Sequence, residues 1–258
     1  MILQSDYHTH TTFSHGKGEV LDNALVAKEL GLKELGISDH GFAHPAFGLR
    51  KRKLDDLISQ AKDATDKTGV KVLVGIESNL ISDKGECDLK PNLYDKFDIF
   101  LMGMHQFVLY KPATLFKFFL PDLFCNTFKC KPAKWVIKEN TKAFINAIKN
   151  TPIDVITHLN YKCFTDPVEV AKCASDYGTY IELNAKKEHL TDEELYAILK
   201  TDARFVIDSD AHSPNRVGEI SLVENALKRM DFPLDRIDNI DGRLPDFRFA
   251  KFKGQAGR

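Results

Sequence analysis

Cysteine occurs in no useful pattern. The five residues, Cys87, Cys125, Cys130, Cys163 and Cys173, are odd in number and include no Cys-x-x-Cys pair. A regular disulfide framework is thereby excluded and a reducing compartment is expected. Long apolar runs are missing as well, since none approaches the roughly 18 residues needed to cross a bilayer. The first residues lack the basic region and apolar stretch of a secretory signal, so a cytoplasmic protein is expected. Charge of one sign is also lacking: 36 basic residues stand against 37 acidic ones, a net charge of −1. No global field draws the chain to nucleic acid or to a membrane, and neither is an expected partner. No repeat with a period of about 20 to 50 residues is present.

What is there is an ordinary globular composition, 43% hydrophobic and 28% charged, over 258 residues. That length suits a single domain spanning 1–258, large enough for one α/β barrel. Seven short apolar runs, MILQSDYH, KELGIS, VKVLVGI, FDIFLMGM, IDVIT, TYIEL and RFVID, alternate with segments of helical period. Those segments are VLDNALVAKEL, KLDDLISQAKDATDKTG, AKWVIKENTKAFINAIKN, DPVEVAKCASDYG, TDEELYAILK and VGEISLVENALKRM. Strand-then-helix repetition predicts βα units around a parallel sheet. Thr191 and Asp166 are predicted N-caps, with Glu194 and Glu169 three residues on as a capping box requires.

The residue that follows each run matters most. In chain order these are His8 and His10, Asp39 and His40, Glu77, His105, His158, Asn184, and finally Asp210 and His212. In a parallel α/β barrel the C-terminal strand ends meet on one face, so these residues are expected to share one bowl. His8 and His10, two residues apart on an extended strand, present both imidazoles on one side. Zn²⁺ or Mn²⁺ accepts imidazole and carboxylate donors together. His15 follows in FSHGKG, where glycines let the chain turn back over the bowl. Any one histidine is more often an exposed or hydrogen-bonded residue than a ligand. Seven of nine at strand ends, all but His44 and His189, outweigh that reading.

DYHTHT, SDHG, GIESNL, MGMH, THLN and SDAH, in this order over about residues 6–218, closely resemble the PHP superfamily, named for polymerase and histidinol phosphatase. The likeness is strongest to its stand-alone phosphatase branch. The resemblance implies a distorted (βα)7 TIM-like barrel with a C-terminal extension from about 231 to 258. It implies three divalent metal ions, commonly zinc, manganese or iron. One would be held by His8, His10, Glu77 and Asp210, a second by Glu77, His105 and His158, and a third by His15, His40 and His212. A hydroxide bridging two such ions would attack the phosphorus of a small phosphomonoester, with histidinol phosphate a candidate substrate.

Other residues carry open readings. Asp39 would orient an imidazole or donate a proton to the leaving group, the first being favoured. Arg216 would pair with a substrate phosphate or simply begin a helix. Arg50, Lys51, Arg52 and Lys53 form either a solvated face or a wall of the bowl. His44 is read as a surface residue that could touch substrate, and Asn184 as lining without ligation. About 27 residues separate His105 from the next helix, long for such a connection, and they interleave lysine with phenylalanine. A lid or a subunit contact is favoured, the second of which would make the protein a homo-oligomer. A nucleic-acid platform is weaker, and a membrane-surface helix weakest because Pro121 should interrupt it. The tail carrying Phe247, Phe249 and Phe252 is expected to pack its aromatics and then fray.

Rival classes remain at this point. Metal-dependent amidohydrolases also begin with His-x-His, but they usually place a modified lysine where this chain has His105. A nuclease lacks support from net charge. A non-catalytic metal-binding module is the last alternative.

Overall fold

Seven parallel strands run in sequence order around the sheet: β1 (Ser5–Thr9), β2 (Glu34–Ile37), β3 (Lys71–Asn79), β4 (Ile99–Gly103), β5 (Val155–Ile156), β6 (Tyr180–Asn184) and β7 (Phe205–Asp208). The structure, a computed structural model, describes residues 1–111 and 114–256, with the backbone alone for Phe118, Gln255 and Ala256. Each expected apolar run overlaps one strand, and β1, β3 and β6 extend beyond theirs. Between and after them lie α1 (Val20–Glu29), α2 (Leu54–Thr68), α3 (Leu120–Phe128), α4 (Lys134–Asn150), α5 (Pro167–Tyr177), α6 (Asp192–Ile198), α7 (Ser221–Met230) and α8 (Arg248–Ala256). Consecutive strands that pair in parallel with a crossover between them make a (βα)7 TIM-like barrel.

Alternation along each strand sorts side chains into two layers. Val72, Val74 and Ile76 of β3 and Phe100 and Met102 of β4 face the helices in the main core. Leu73, Ile99, Leu101, Val155, Tyr180 and Val206 face inward and join Tyr7 in a compact floor, against which Phe247 packs. The tail therefore does pack its aromatics, and Phe249 of α8 is fully buried. Residues 257–258 lie outside the described residues. On β1 the register with β2 shifts between Asp6 and Thr9. Such a bulge turns successive residues to one side, and here Tyr7 meets the floor while His8 rises into the mouth.

β1 and β7 close the ring differently from the other pairs. Near the mouth the backbone bonds are direct: His10 N–H donates to the Ala211 carbonyl at 2.8 Å and Ala211 N–H to that of His8 at 3.2 Å. Below, side chains replace the ladder. Tyr7 N–H donates to Asp208 Oδ1 at 2.7 Å, and Ser209 N–H to Asp6 Oδ1 at 3.1 Å. Lower still, the Asn239 carboxamide accepts from Ile207 N–H and donates to the carbonyls of Ser5 and Ile207. A buried backbone group left unpaired is costly, and these three side chains serve the groups that the splayed strands cannot serve for each other.

Three expectations change. Thr191 and Glu194 form the predicted capping box, but Glu169 returns no bond to Asp166. The Asp166 N–H that such a bond needs is already donated to Thr141 Oγ1 at 2.8 Å. The last segment becomes helical only at Ser221, because Gly218 adopts φ +69 and breaks the helical path. The connection after β4 is largely helical: a π-helical turn, Leu115–Phe119, runs directly into α3. Pro121 lies just past the π-helical turn, and the chain stays helical through it; a π-bulge is one of the local adjustments by which a helix accommodates a break in its i→i−4 ladder. It therefore does not interrupt the segment.

Candidate metal centre

The strand ends meet as the register requires. Glu77, seventh residue of β3, is fully buried at the middle of the mouth, and four imidazoles point at its carboxylate. His158 Nε2 lies 2.6 Å from Oε1, His105 Nε2 3.2 Å and His8 Nε2 3.3 Å, while His40 Nδ1 lies 2.7 Å from Oε2. Asp210 sits 3.5 Å from His10 Nε2 and 3.2 Å from His212 Nδ1. His15 stacks on His40 with ring centroids 4.7 Å apart and meets His212 edge-on at 4.4 Å. All nine expected donors, His8, His10, His15, His40, Glu77, His105, His158, Asp210 and His212, thus share one cluster.

The electrostatics of this cluster favour a cation. Burial raises the Glu77 carboxyl, yet His105, His8 and His40 together hold it well below the usual range. Asp210 is likewise held well below normal, by His8 and His10 against burial. Burial, then His40, keeps His10 neutral, and burial pushes His40 down to about 3 and His15 to about 4. Neutral imidazole and ionised carboxylate are the forms that bind metal. Burial also acts to lower His8, but Glu77, Glu182 and Asp210 outweigh it and raise its pKa well above normal. Carboxylate charge is therefore in excess around that ring. Moreover His8 Nε2 and both ring nitrogens of His10 are buried without a hydrogen-bond partner, and the 2.7 Å approach of His40 Nδ1 to Glu77 Oε2 lacks hydrogen-bond geometry. Such atoms are rare in folded proteins unless an ion or water serves them. Convergent groups able to take an ion are His8, His10 and Asp210; His8, Glu77 and His158; His40, Glu77 and His105; and His10, His40 and His212. The residues present fit divalent cations.

Two residues that sequence reasoning passed over hold the donors in place. Glu182 Oε1 lies 2.6 Å from His8 Nδ1, and its Oε2 accepts from His158 N–H at 2.6 Å. A proton held on Nδ1 leaves Nε2 of His8 facing the cluster. Asn79 Oδ1 lies 2.9 Å from His105 Nδ1, and Asn79 in turn donates to Asp88 Oδ2 at 2.7 Å. The usable signal was spacing by two: Asn79 follows Glu77 on β3, and Glu182 precedes Asn184 on β6. His158 itself has φ 30, a conformation unusual outside glycine, and its Glu182 bond helps hold it there. Asn184, as expected, lines the site; its Nδ2 donates to Glu182 Oε2 at 3.0 Å.

Asp39 and Arg216 lie elsewhere than expected. Asp39 is fully buried, with burial pushing it up to about 6, and it accepts from Thr11 N–H at 2.8 Å, Thr11 Oγ1 at 2.6 Å and Ser14 Oγ. It braces the loop that carries His15 and touches neither an imidazole nor the open cavity. Gly16 belongs to the same loop. A Cβ there would lie 2.6 Å from the His10 carbonyl, so close approach of backbone demands the glycine. Arg216 stands exposed on a 3-10 turn, Pro214–Arg216, outside the cavity walls, because the chain after His212 turns away before α7 begins. Arg50 donates to the Pro45 carbonyl, and Lys51 and Lys53 lie over Phe42 and Phe13. That basic run does not line the bowl.

The cavity over the cluster, about 360 Å³, takes its cations from Lys162, Lys186 and Lys187. Lys186 Nζ lies 3.3 Å from Asp210 Oδ1 and 3.2 Å from His212 Nδ1. His44 and His189, set apart by the sequence reading, also line it, with Tyr161 and Phe107.

A sequence profile of the PHP domain matches residues 6–220. A protein of Thermoanaerobacter sp. (strain X514) named a probable phosphatase is 27% identical over 263 residues, covering 96% of this chain and 95% of that one. A probable phosphatase of Shewanella sp. (strain MR-4) is 27% identical over 249 residues, covering 91% and 86%. Among solved structures, histidinol phosphate phosphatase from Lactococcus lactis, complexed with zinc, L-histidinol and phosphate, superposes with a TM-score of 0.59 at 15% identity, covering 90% of this chain and 95% of that one. At that identity the likeness is one of fold.

Proposed function

The chain belongs to the PHP domain family, and on that premise we propose that it is a metal-dependent phosphatase of small phosphomonoesters, with histidinol phosphate among its candidate substrates. One observation carries this reading: eight donors at or just after strand ends, from His8 to His212, converge with several buried ring atoms left unpartnered, and His15 stacks against them. We assign His8, His10, Glu77 and Asp210 to one cation, Glu77, His105 and His158 to a second, and His15, His40 and His212 to a third. Zinc is the first choice, with manganese and iron compatible with the same donors. Residues 1–258 form one PHP domain whose C-terminal segment seals the floor.

Divalent cations in such a site lower the pKa of coordinated water and neutralise phosphate oxygens in the transition state. The chain's own residues do the rest. Glu182 and Asn79 fix the rotation and tautomer of His8 and His105. Asp39, by bracing the loop from Thr11 to Ser14, positions His15. Lys186, beside Asp210 and His212, holds a phosphate oxygen, and Lys162 and Lys187 make the approach cationic. Glu77 near the end of β3, with His105 rather than a lysine after β4, supports phosphoryl rather than amide chemistry. A cavity of about 360 Å³ supports a small substrate.

The test is release of phosphate from a panel of monoesters, including p-nitrophenyl phosphate and histidinol phosphate, with manganese or zinc, beside His10→Ala. Metal-dependent release that a chelator abolishes supports the reading. Absence of release from every ester by protein shown by elemental analysis to carry metal would sink it.

A further inference from the structure

We propose that the outward face of the helix running from Leu115 to Phe128 docks the protein onto an anionic membrane surface, with the mouth of the barrel beside the bilayer. Phe116, Leu120, Phe124 and Phe128 recur every four residues along this helix and are 74%, 42%, 57% and 67% exposed. Phe124 and Phe128 contact each other, with ring centroids 4.7 Å apart, and Trp135 just beyond is 52% exposed. Contiguous apolar surface of this kind on a folded protein marks a site of contact.

The helix is anchored through its other side. Asp122, fully buried, accepts from Asn140 Nδ2 at 2.9 Å and from Phe164 N–H at 3.2 Å. Asn126 Nδ2 donates to the Lys162 carbonyl at 3.0 Å, while Phe119 stacks on Tyr110 and meets Phe107. Polar anchors therefore face inward, and the apolar ridge is held outward as a rigid surface.

Charge decides the occupant. Between residues 111 and 138 the chain carries six lysines and one acidic residue, the buried Asp122. Lys117, Lys129, Lys131 and Lys134 are exposed around the ridge. Aromatic and leucine side chains on one face with lysine at its edges is the composition of helices that lie in a membrane interface. Lysine near an anionic leaflet is attracted to it, whereas a second copy of this chain would bring one lysine rim against another. A nucleic acid would match the charge but leave Leu120 and the clustered phenylalanines without an apolar medium. Phe107 and Lys162 belong both to the cavity wall and to the supports of this helix, so docking sets the mouth at the lipid surface. The chain's overall neutrality does not oppose this, because the attraction is local and screened within about 8–10 Å.

Vesicle flotation of the full chain tests the proposal, and it needs no assumption about catalysis. Wild type is expected to float with phosphatidylcholine vesicles carrying about one-third phosphatidylserine, and to stay behind with phosphatidylcholine alone. Lys117→Glu and Lys129→Glu should each weaken binding roughly fivefold or more. Phe124→Glu with Phe128→Glu should reduce it to background, with an unchanged circular-dichroism melt because both side chains are already exposed. Absence of flotation with the anionic vesicles, or binding that survives the double substitution, overturns the proposal. So does sedimentation equilibrium showing a dimer that the same double substitution dissolves, which would give the face to a second copy.

Discussion

Replacing Glu182 by glutamine separates holding a ligand from being one. The carboxylate serves two strong donors at 2.6 Å, His8 Nδ1 and His158 N–H, and both are buried. Glutamine fills the same volume but has one acceptor oxygen, so one donor must face an amide NH2. An unsatisfied buried donor costs about 1–3 kcal/mol. For a chain of this size that lowers the melting midpoint of the metal-free protein by about 2–4 °C per kcal/mol. The larger effect falls on metal. With its Nδ1 partner weakened, His8 loses a fixed tautomer and some basicity, and affinity at the site should drop about 10–100-fold. Manganese titrations of p-nitrophenyl phosphate hydrolysis would show the half-saturating concentration displaced by that factor, with most of the turnover restored at saturation. Elemental analysis after dialysis would show sub-stoichiometric metal. If Glu182→Gln retains metal and half-saturation within twofold of wild type, the assigned role of Glu182 is wrong.

Glu77→Ala should lose more than one equivalent of metal, where His10→Ala loses about one, and elemental analysis of dialysed protein distinguishes them. Lys186→Ala removes a charge-assisted contact to phosphate, so kcat/KM should fall roughly 10–100-fold while metal content stays unchanged. Asp154 supplies a pH prediction. Burial raises its carboxyl to about 7, although it accepts from Phe100 N–H at 3.0 Å and Phe249 N–H at 2.8 Å. A raised folded-state pKa means the native form binds more protons than the unfolded chain between about pH 4 and 7, so this group's contribution falls as pH rises through that window. Urea midpoints from pH 4 to 8 should therefore decline less steeply for Asp154→Asn than for wild type, and parallel profiles would contradict the assignment.

The barrel was legible because each inward or helix-facing run is short, apolar and rich in branched side chains, down to the two-residue β5 inside IDVIT. The cluster was legible because parallel register carries residues after each strand to one end. What escaped had no such marker. Glu182 and Asn79 sit inside strand runs, and their importance comes from a neighbour's ring nitrogen, which spacing alone does not reveal. Asp39 was singled out for its place beside His40, but adjacent residues on a strand end point apart, and its carboxylate turned to Thr11 and Ser14. Arg216 stands four residues past His212, but the chain leaves the mouth through the Pro214–Arg216 turn and the left-handed Gly218 before α7 begins at Ser221. Pro121 reads as a break in the sequence because nothing there marks the π-helical turn that precedes it.

The closure between β1 and β7 bears on how the molecule comes into being. His8 and His10 are synthesised about two hundred residues before their companions Asp210 and His212, and earlier still than the Asn239 carboxamide that knits the two strands. A nascent chain not yet extended past β7 lacks Asp210 and His212, so the proposed ion cage would be completed only after those residues join the early histidines. The early histidines would pass through translation as loose, solvent-accessible donors, vulnerable to any competing transition ion until the final strand locks beside them.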